Sequence, residues 1–299
     1  MKFGVFSMNS DEGLDPLELA REAEGLGLES AFVPDHSHVP VRRSIRFGAG
    51  NEQTVNIAER KDLSEGFEEA GSDMPRDFYR NREQFVTLTA MAAVTSTLRI
   101  GTGICLVVQR DPIWLAKQVA TLDRLSNGRL IFGVGIGSPW NHEEIRNHGV
   151  EYRKRVSVMA ERMEAMRRIW TEEKAEYHGK YVDFDPIYSW PKPVQQPAPP
   201  VFVGGDGPTV LDRVLAFGDG WMPGHHADPG LFKARVAELR ERAAAAGRGD
   251  MEITVFLAHL DKLDDYHEAG VDRIVVMLPT GVERKFLKDV ADAMYSSNS

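Results

Sequence analysis

The chain of 299 residues contains one cysteine, Cys105, so an intramolecular disulfide is excluded and stability must come from burial of apolar surface. No apolar run approaches the roughly 20 residues that span a bilayer, which excludes a membrane-spanning role. Basic charge is in deficit: 36 Lys and Arg stand against 45 Asp and Glu, a net charge of -9. The broad positive field needed for non-specific nucleic-acid binding is therefore missing. Met1 to Phe6 carries neither the long apolar stretch nor the small-residue cleavage site of a signal peptide, and a cytoplasmic location is expected. Internal repeats and low-complexity tracts are lacking as well. What remains, 42% hydrophobic and 27% charged residues, is the composition of an ordinary globular enzyme-sized protein.

Short apolar runs rich in β-branched or aromatic residues alternate with longer stretches of helical period, the pattern of βα units and a parallel sheet. Strands are expected at Lys2 to Phe6, Ser30 to Val33, Leu98 to Leu106, Leu130 to Val134, Val201 to Val203, Gly220 to Met222, Ile253 to Leu257 and Arg273 to Met277. The best helical stretches are Pro16 to Leu26, Ile113 to Leu125, Arg153 to Trp170, Pro208 to Phe217 and Leu231 to Ala246, with apolar side chains at three- and four-residue spacing. Gly27 follows the first helix, while Pro112 and Pro208 stand at first-turn positions where a missing N–H costs nothing. Eight βα pairs at this length point to one α/β domain over residues 1–299, a (β/α)8 TIM barrel. Two segments exceed what connections need: Val39 to Glu83 after the second strand and Thr171 to Pro200 before the fifth. The first holds Arg42, Arg43, Arg46, Arg60, Lys61, Arg76, Arg80 and Arg82 among a similar number of acids, and reads either as a solvated insertion or as a lid bearing anion contacts. The second, with Pro191-Lys192-Pro193 and Pro197-Ala198-Pro199-Pro200, reads as an extended lead-in to a strand.

Barrel enzymes carry their chemistry just past the strand ends. There the second strand offers Asp35-His36-Ser37-His38, and His36 suits a general acid or base because imidazole titrates near working pH; a turn histidine is the competing reading. Gly101-Thr102-Gly103-Ile104 and Gly133-Val134-Gly135-Ile136-Gly137-Ser138 place glycines where backbone could approach a ligand. The second run lacks the G-x-G-x-x-G spacing of a dinucleotide fingerprint. Gly204-Gly205-Asp206-Gly207-Pro208 enters a helix N-terminus and suits phosphate, or is simply a tight βα turn. Trp221 is either a core residue or a wall for a planar ligand. A metal-dependent hydrolase must be weighed because His36-Ser37-His38 has H-x-H spacing. Beyond His225 and His226, however, the later strand ends offer no ligands to complete a zinc set. Cys105 reads as a small core residue rather than a nucleophile.

Several long motifs in order resemble the bacterial luciferase-like monooxygenase superfamily, and within it the coenzyme F420-dependent oxidoreductases. They are Arg99-Ile100-Gly101-Thr102-Gly103, Asp111-Pro112 through Leu115-Ala116-Lys117-Gln118 to Asp123, and Ser126-Asn127-Gly128-Arg129-Leu130 through Gly137. Pro191-Lys192-Pro193, Val203-Gly204-Gly205 and Gly218-Asp219-Gly220-Trp221 follow in register. The resemblance runs almost end to end. It implies a barrel binding F420, or alternatively FMN, at its C-terminal mouth, with hydride transfer between the deazaflavin C5 and a small organic substrate. By matching motif positions it implies Asp35 and His36 beside the ring, with His36 the catalytic acid or base. It likewise implies Thr102, Gly103 and Ile104 shaping the ring pocket with a non-prolyl cis peptide at Gly103-Ile104, Ser138 and Asn141 reaching the cofactor, and Val203, Gly204 and Gly205 at its phosphate side. Some sugar-phosphate dehydrogenases of the branch carry a glutamate where Ser138 stands, so that activity is not implied. The arginines of the first insertion are candidates for an oligoglutamate tail. Relatives are commonly dimers, which implies a homodimer. An FMN monooxygenase would further need oxygen and a separate reductase, and cofactor-free binding subunits also occur among luciferase relatives.

Overall fold

The structure, a computed structural model, describes residues 1–41, 74–225 and 228–297. In chain order its strands are β1 (Lys2–Ser7), β2 (Ser30–Val33), β3 (Arg99–Thr102), β4 (Cys105–Leu106), β5 (Leu130–Gly135), β6 (Ala175–His178), β7 (Asp183–Ile187), β8 (Val201–Gly204), β9 (Gly220–Met222), β10 (Glu252–Phe256) and β11 (Arg273–Leu278). Hydrogen bonding runs β3-β2-β1-β11-β10-β9-β8-β5, and β5 returns to β3 through Ile100 opposite Leu130. Eight parallel staves thus close on themselves, the (β/α)8 barrel expected from the alternation. The helices are α1 (Pro16–Gly25), α2 (Arg76–Tyr79), α3 (Gln84–Ala93), α4 (Pro112–Leu125), α5 (His142–Asn147), α6 (Arg155–Thr171), α7 (Val210–Phe217), α8 (Pro229–Ala245), α9 (Leu263–Glu268) and α10 (Glu283–Ser297). Among the described residues no helix is long and apolar enough to cross a membrane.

Local chemistry explains the starts of these helices. Asp15 accepts from the N–H groups of Leu17 and Glu18 ahead of Pro16, and Asp111 accepts from Trp114 N–H ahead of Pro112. Three departures from the sequence reading have equally local causes. The third strand is not continuous from Leu98 to Leu106: Gly103 N–H bonds to Val33, the Gly103–Ile104 peptide is cis, and pairing resumes at Cys105 opposite Val134. The unit after β2 ends in α3, preceded by the four-residue α2; α3 is not among the best helical stretches of the sequence because six of its ten residues are buried and its apolar residues show little amphipathic period. The proline-rich segment before β8 holds, at its start, an antiparallel hairpin of β6 and β7 outside the barrel, with Tyr177 opposite Phe184. Arg42, Arg43, Arg46, Arg60 and Lys61 lie outside the described residues. Arg80 pairs with Asp11, Arg76 with Glu12, and Arg82 donates to the carbonyls of Asn9 and Ser10, so these three fasten the loop after β1.

Alternation along each strand sorts side chains between the barrel lumen and the helix layer. Phe6, Phe32, Ile131, Phe202, Met222, Val275 and Met277 form the inner cluster. Phe3, Val5, Val134, Val203, Trp221 and Ile274 pack outward against the helices. At the N-terminal end Arg273 is fully buried, and its guanidinium donates to both oxygens of Glu29 at 2.8 Å and to the Thr254 hydroxyl at 3.0 Å. Phe202 lies beside it, 5.8 Å from guanidinium to ring centre.

Glu24, near the end of α1, holds the approach to β3. Its Oε1 accepts from the N–H groups of Ser96, Thr97 and Leu98 and from the Thr97 hydroxyl, at 2.6 to 2.9 Å. Burial pushes this carboxyl upward, but the backbone donors and the hydroxyl together outweigh it and lower the pKa to about 2. Because the folded value lies below the unfolded one, the stabilisation is complete above about pH 4.5 and is lost as pH falls toward about 2. Glu24→Gln should therefore flatten the acid limb of stability against pH in urea titrations. Equal slopes for wild type and variant between those values would contradict the assignment.

Candidate active site

A cavity of about 860 Å³ opens at the C-terminal ends of the strands. Its floor is apolar: Phe6, Met8, Phe256 and Met277 line it, with Phe6 and Phe256 edge to face at 4.8 Å. One wall is the Gly103–Ile104 segment. The Ile104 side chain wedges toward β5 and β8, so that a Cβ built on Gly135 would lie 2.0 Å from its Cδ1 and one on Gly204 2.8 Å. This corrects the reading of the β5 glycines as a place where backbone meets ligand. Gly135 makes room for the protein's own isoleucine, and Gly133 for the carbonyl of Thr102.

His36 stands at the end of β2 with its ring among Phe78 and Trp140, 5.2 and 5.6 Å away between centroids. Its Nδ1 is 3.2 Å from Oε2 of Glu144, and only 8% of the imidazole and 2% of the Glu144 side chain are exposed. Asp35 also borders the cavity, yet its carboxylate is turned away from His36. It accepts from Leu106 N–H at 2.9 Å and from the Arg110 guanidinium at 2.6 and 3.1 Å. Asp35 thereby ties β4 to the end of β2. Cys105, fully buried, has its thiol pushed well up by burial first and by the Asp35 charge next, as suits a core residue.

Among the remaining expected site residues, Gly103, Ile104, Ser138, Asn141, Gly204 and Gly205 line the cavity. Asn141 is already committed on both sides of its amide, accepting from Ser138 N–H at 2.8 Å and donating to Glu144 at 2.7 Å. Thr102, Val203 and Trp221 do not reach the wall. The Thr102 hydroxyl donates to the Gly133 carbonyl, Val203 faces the helix layer, and Trp221 is fully buried with its indole N–H bonded to the Gly205 carbonyl. Strand alternation explains the last case, since it turns Met222 inward and Trp221 outward. His36 and His38 diverge: His38 sits in an outer cluster with Ser37, Asn147 and His148. His225 bonds Tyr266 and stacks on His259, while His226 lies outside the described residues. Among the described residues no three His, Cys, Asp or Glu side chains come together as a metal site.

Three arginines also line the cavity, together with Asp77 and Asp206, a feature the sequence reading missed. Arg155 at the start of α6, Arg213 on α7 and Arg235 on α8 converge beside the Gly205–Pro208 turn. Their bonds go to the Tyr152, Asp206 and Gly207 carbonyls and to Thr209, not to carboxylates. Arg213 is 8% exposed, and the Nε atoms of Arg155 and Arg213 have no partner. Burial first and the neighbouring Arg155 charge next lower the Arg213 pKa, while Asp212 partly offsets them. Gly205 has φ +109° and open space where a Cβ would stand. A signal did exist in the sequence. Arg213 sits on the buried stripe Val210, Val214 and Phe217 of a helix whose other charged residue is Asp212, and a cation on a buried stripe needs a reason.

A closed barrel with an apolar floor, a buried imidazole-carboxylate pair and an arginine-lined wall at the C-terminal face has the layout of a barrel enzyme's ligand pocket. The chain belongs to the luciferase-like monooxygenase family, whose model matches residues 1–273, and is thus of the luciferase-like oxidoreductase and monooxygenase type. An uncharacterized protein of Mycobacterium tuberculosis is 38% identical over 284 residues, covering 93% of this chain and 92% of that one. An FMNH2-dependent dimethylsulfone monooxygenase of Pseudomonas putida is 31% identical over 204 residues, covering 66% of this chain and 54% of that one. The fold of an F420-dependent secondary alcohol dehydrogenase in complex with an F420-acetone adduct superposes with a TM-score of 0.72 at 19% identity, covering 98% of both chains.

Proposed function

We propose that this protein is an F420-dependent oxidoreductase that transfers a hydride between the deazaflavin C5 and a small organic substrate. The observation that carries the reading is the arginine wall: Arg155, Arg213 and Arg235 line one part of the cavity and none of them donates to a carboxylate among the described residues. That is more positive charge than one phosphate requires, and it suits a cofactor with a phosphate and an anionic tail. When bound, the deazaflavin supplies two-electron hydride chemistry. Gly103, Ile104 and the apolar floor would hold the ring and exclude water from it. Gly204, Gly205 and the three arginines would hold the phosphate side, with the N-terminus of α7 adding backbone N–H groups. His36 would hold or release the substrate's proton at Nε2, the nitrogen not engaged by Glu144.

A second reading, an FMN-dependent monooxygenase served by a separate reductase, draws on the Pseudomonas relative. Fluorescence titration of the purified protein with F420 and with FMN separates the two. Tight F420 binding is expected, and Arg213→Gln should weaken it by about tenfold to a hundredfold, the worth of one charge-assisted hydrogen bond. Tight binding of FMN without F420 would overturn the proposal in favour of the monooxygenase.

A further inference from the structure

We propose that Glu144 is the positioning residue for His36, holding the imidazole as its Nδ1–H tautomer so that Nε2 presents a lone pair to the cavity. The inference rests on the reading of His36 as the acid or base of the site. The chemistry of the contact carries it. Glu144 Oε2 lies 3.2 Å from His36 Nδ1 and also accepts from the Asn141 amide at 2.7 Å, while its Oε1 is buried without a partner. An ionised carboxylate offers only acceptors. If Nδ1 carried no hydrogen, two lone pairs would face each other at that distance in a pocket closed by Phe78 and Trp140, and the buried carboxylate would keep the Asn141 amide as its one donor. The Nδ1–H tautomer removes that repulsion and gives the carboxylate a second donor at Oε2. It also fixes the ring plane, because the bond works only with Nδ1 turned toward α5.

The placement of Glu144 is itself secured. Asn141 holds it through the amide, and Ile145, the next residue, is fully buried in the core. A proton taken up at Nε2 stays on the imidazole, which still donates from Nδ1 to Glu144, and returns from the same nitrogen. Glu144 therefore serves both states of His36 without exchanging a proton itself.

The test reads the tautomer directly in cofactor-free protein. Two-bond ¹H–¹⁵N correlation spectra of histidine-labelled protein, taken where the ring is neutral, should show His36 protonated at Nδ1. Glu144→Ala should move the proton to Nε2, whereas Glu144→Gln, whose amide oxygen still accepts, should retain the wild-type pattern. A structural role alone would not produce that contrast. An Nε2–H signal for His36 in the wild type would overturn the proposal, and so would a pattern unchanged in Glu144→Ala. The wild-type spectrum decides even if a variant does not fold. As no cofactor is present, a failed F420 titration would leave this result standing, and a wrong tautomer would leave the cofactor reading standing.

Discussion

Replacing His36 with alanine is expected to lower turnover by about 10²- to 10⁴-fold, the usual contribution of a positioned acid or base, while F420 affinity changes by no more than a few-fold. The split follows from the two-ended cavity. His36 stands beside Phe78 and Trp140, whereas in the proposed function charge recognition would fall to Arg155, Arg213 and Arg235. On the proposed function, loss of the imidazole would remove proton transfer without touching the arginines. The measurement is the F420 absorbance change with the best substrate from a panel of small alcohols and carbonyl compounds, paired with fluorescence titration of the cofactor. An unchanged rate would take His36 out of the mechanism. A parallel collapse of affinity would instead make it a binding residue.

Arg273→Met is expected to cost roughly 3 to 5 kcal/mol of unfolding free energy, the range for breaking a buried ion pair from one side. Arg273 is fully buried at the N-terminal end of the barrel, bidentate to Glu29 and bonded to Thr254, with Glu252 2.5 Å from its Nη1. Removing it takes the shared cation from Glu29 and Glu252, leaving Arg99 3.9 Å from Glu29 and Lys2 3.3 Å from Glu252. The Glu29 carboxyl is raised by burial, but the Arg273 hydrogen bond and charge bring it below the ordinary glutamate value, and the variant loses that compensation. Urea unfolding measures the cost. A loss below about 1 kcal/mol would show that methionine packing replaces the network, as some hydrophobic substitutions do. The active site lies at the opposite end of the barrel, so the folded variant should bind cofactor normally.

Much of this architecture is written locally. Alternation in Lys2 to Phe6 and Arg273 to Met277, the Asp15-Pro16 and Asp111-Pro112 helix starts, and the three- and four-residue spacing in α4 and α6 each involve residues a turn or a pleat apart. Their consequences depend on neighbours in the chain and survive any tertiary arrangement. The order of glycine motifs likewise carried the family, and it located His36, Gly103, Ile104, Gly204 and Gly205 at the cavity.

The sequence by itself therefore determined the strand and helix periods, the barrel and the glycine turns at its mouth. Tertiary structure alone decided which side chains meet there. His36 finds Glu144 across 108 residues, and Arg155, Arg213 and Arg235 come from three separate helices. Trp221 goes outward and Met222 inward once β9 is seated between β8 and β10. Ile104 meets Gly135 only because the third strand breaks at Gly103. The physical reason is common to all four: period and capping are set by short-range sterics and hydrogen bonds, whereas these contacts exist only after barrel closure fixes the register between strands distant in sequence.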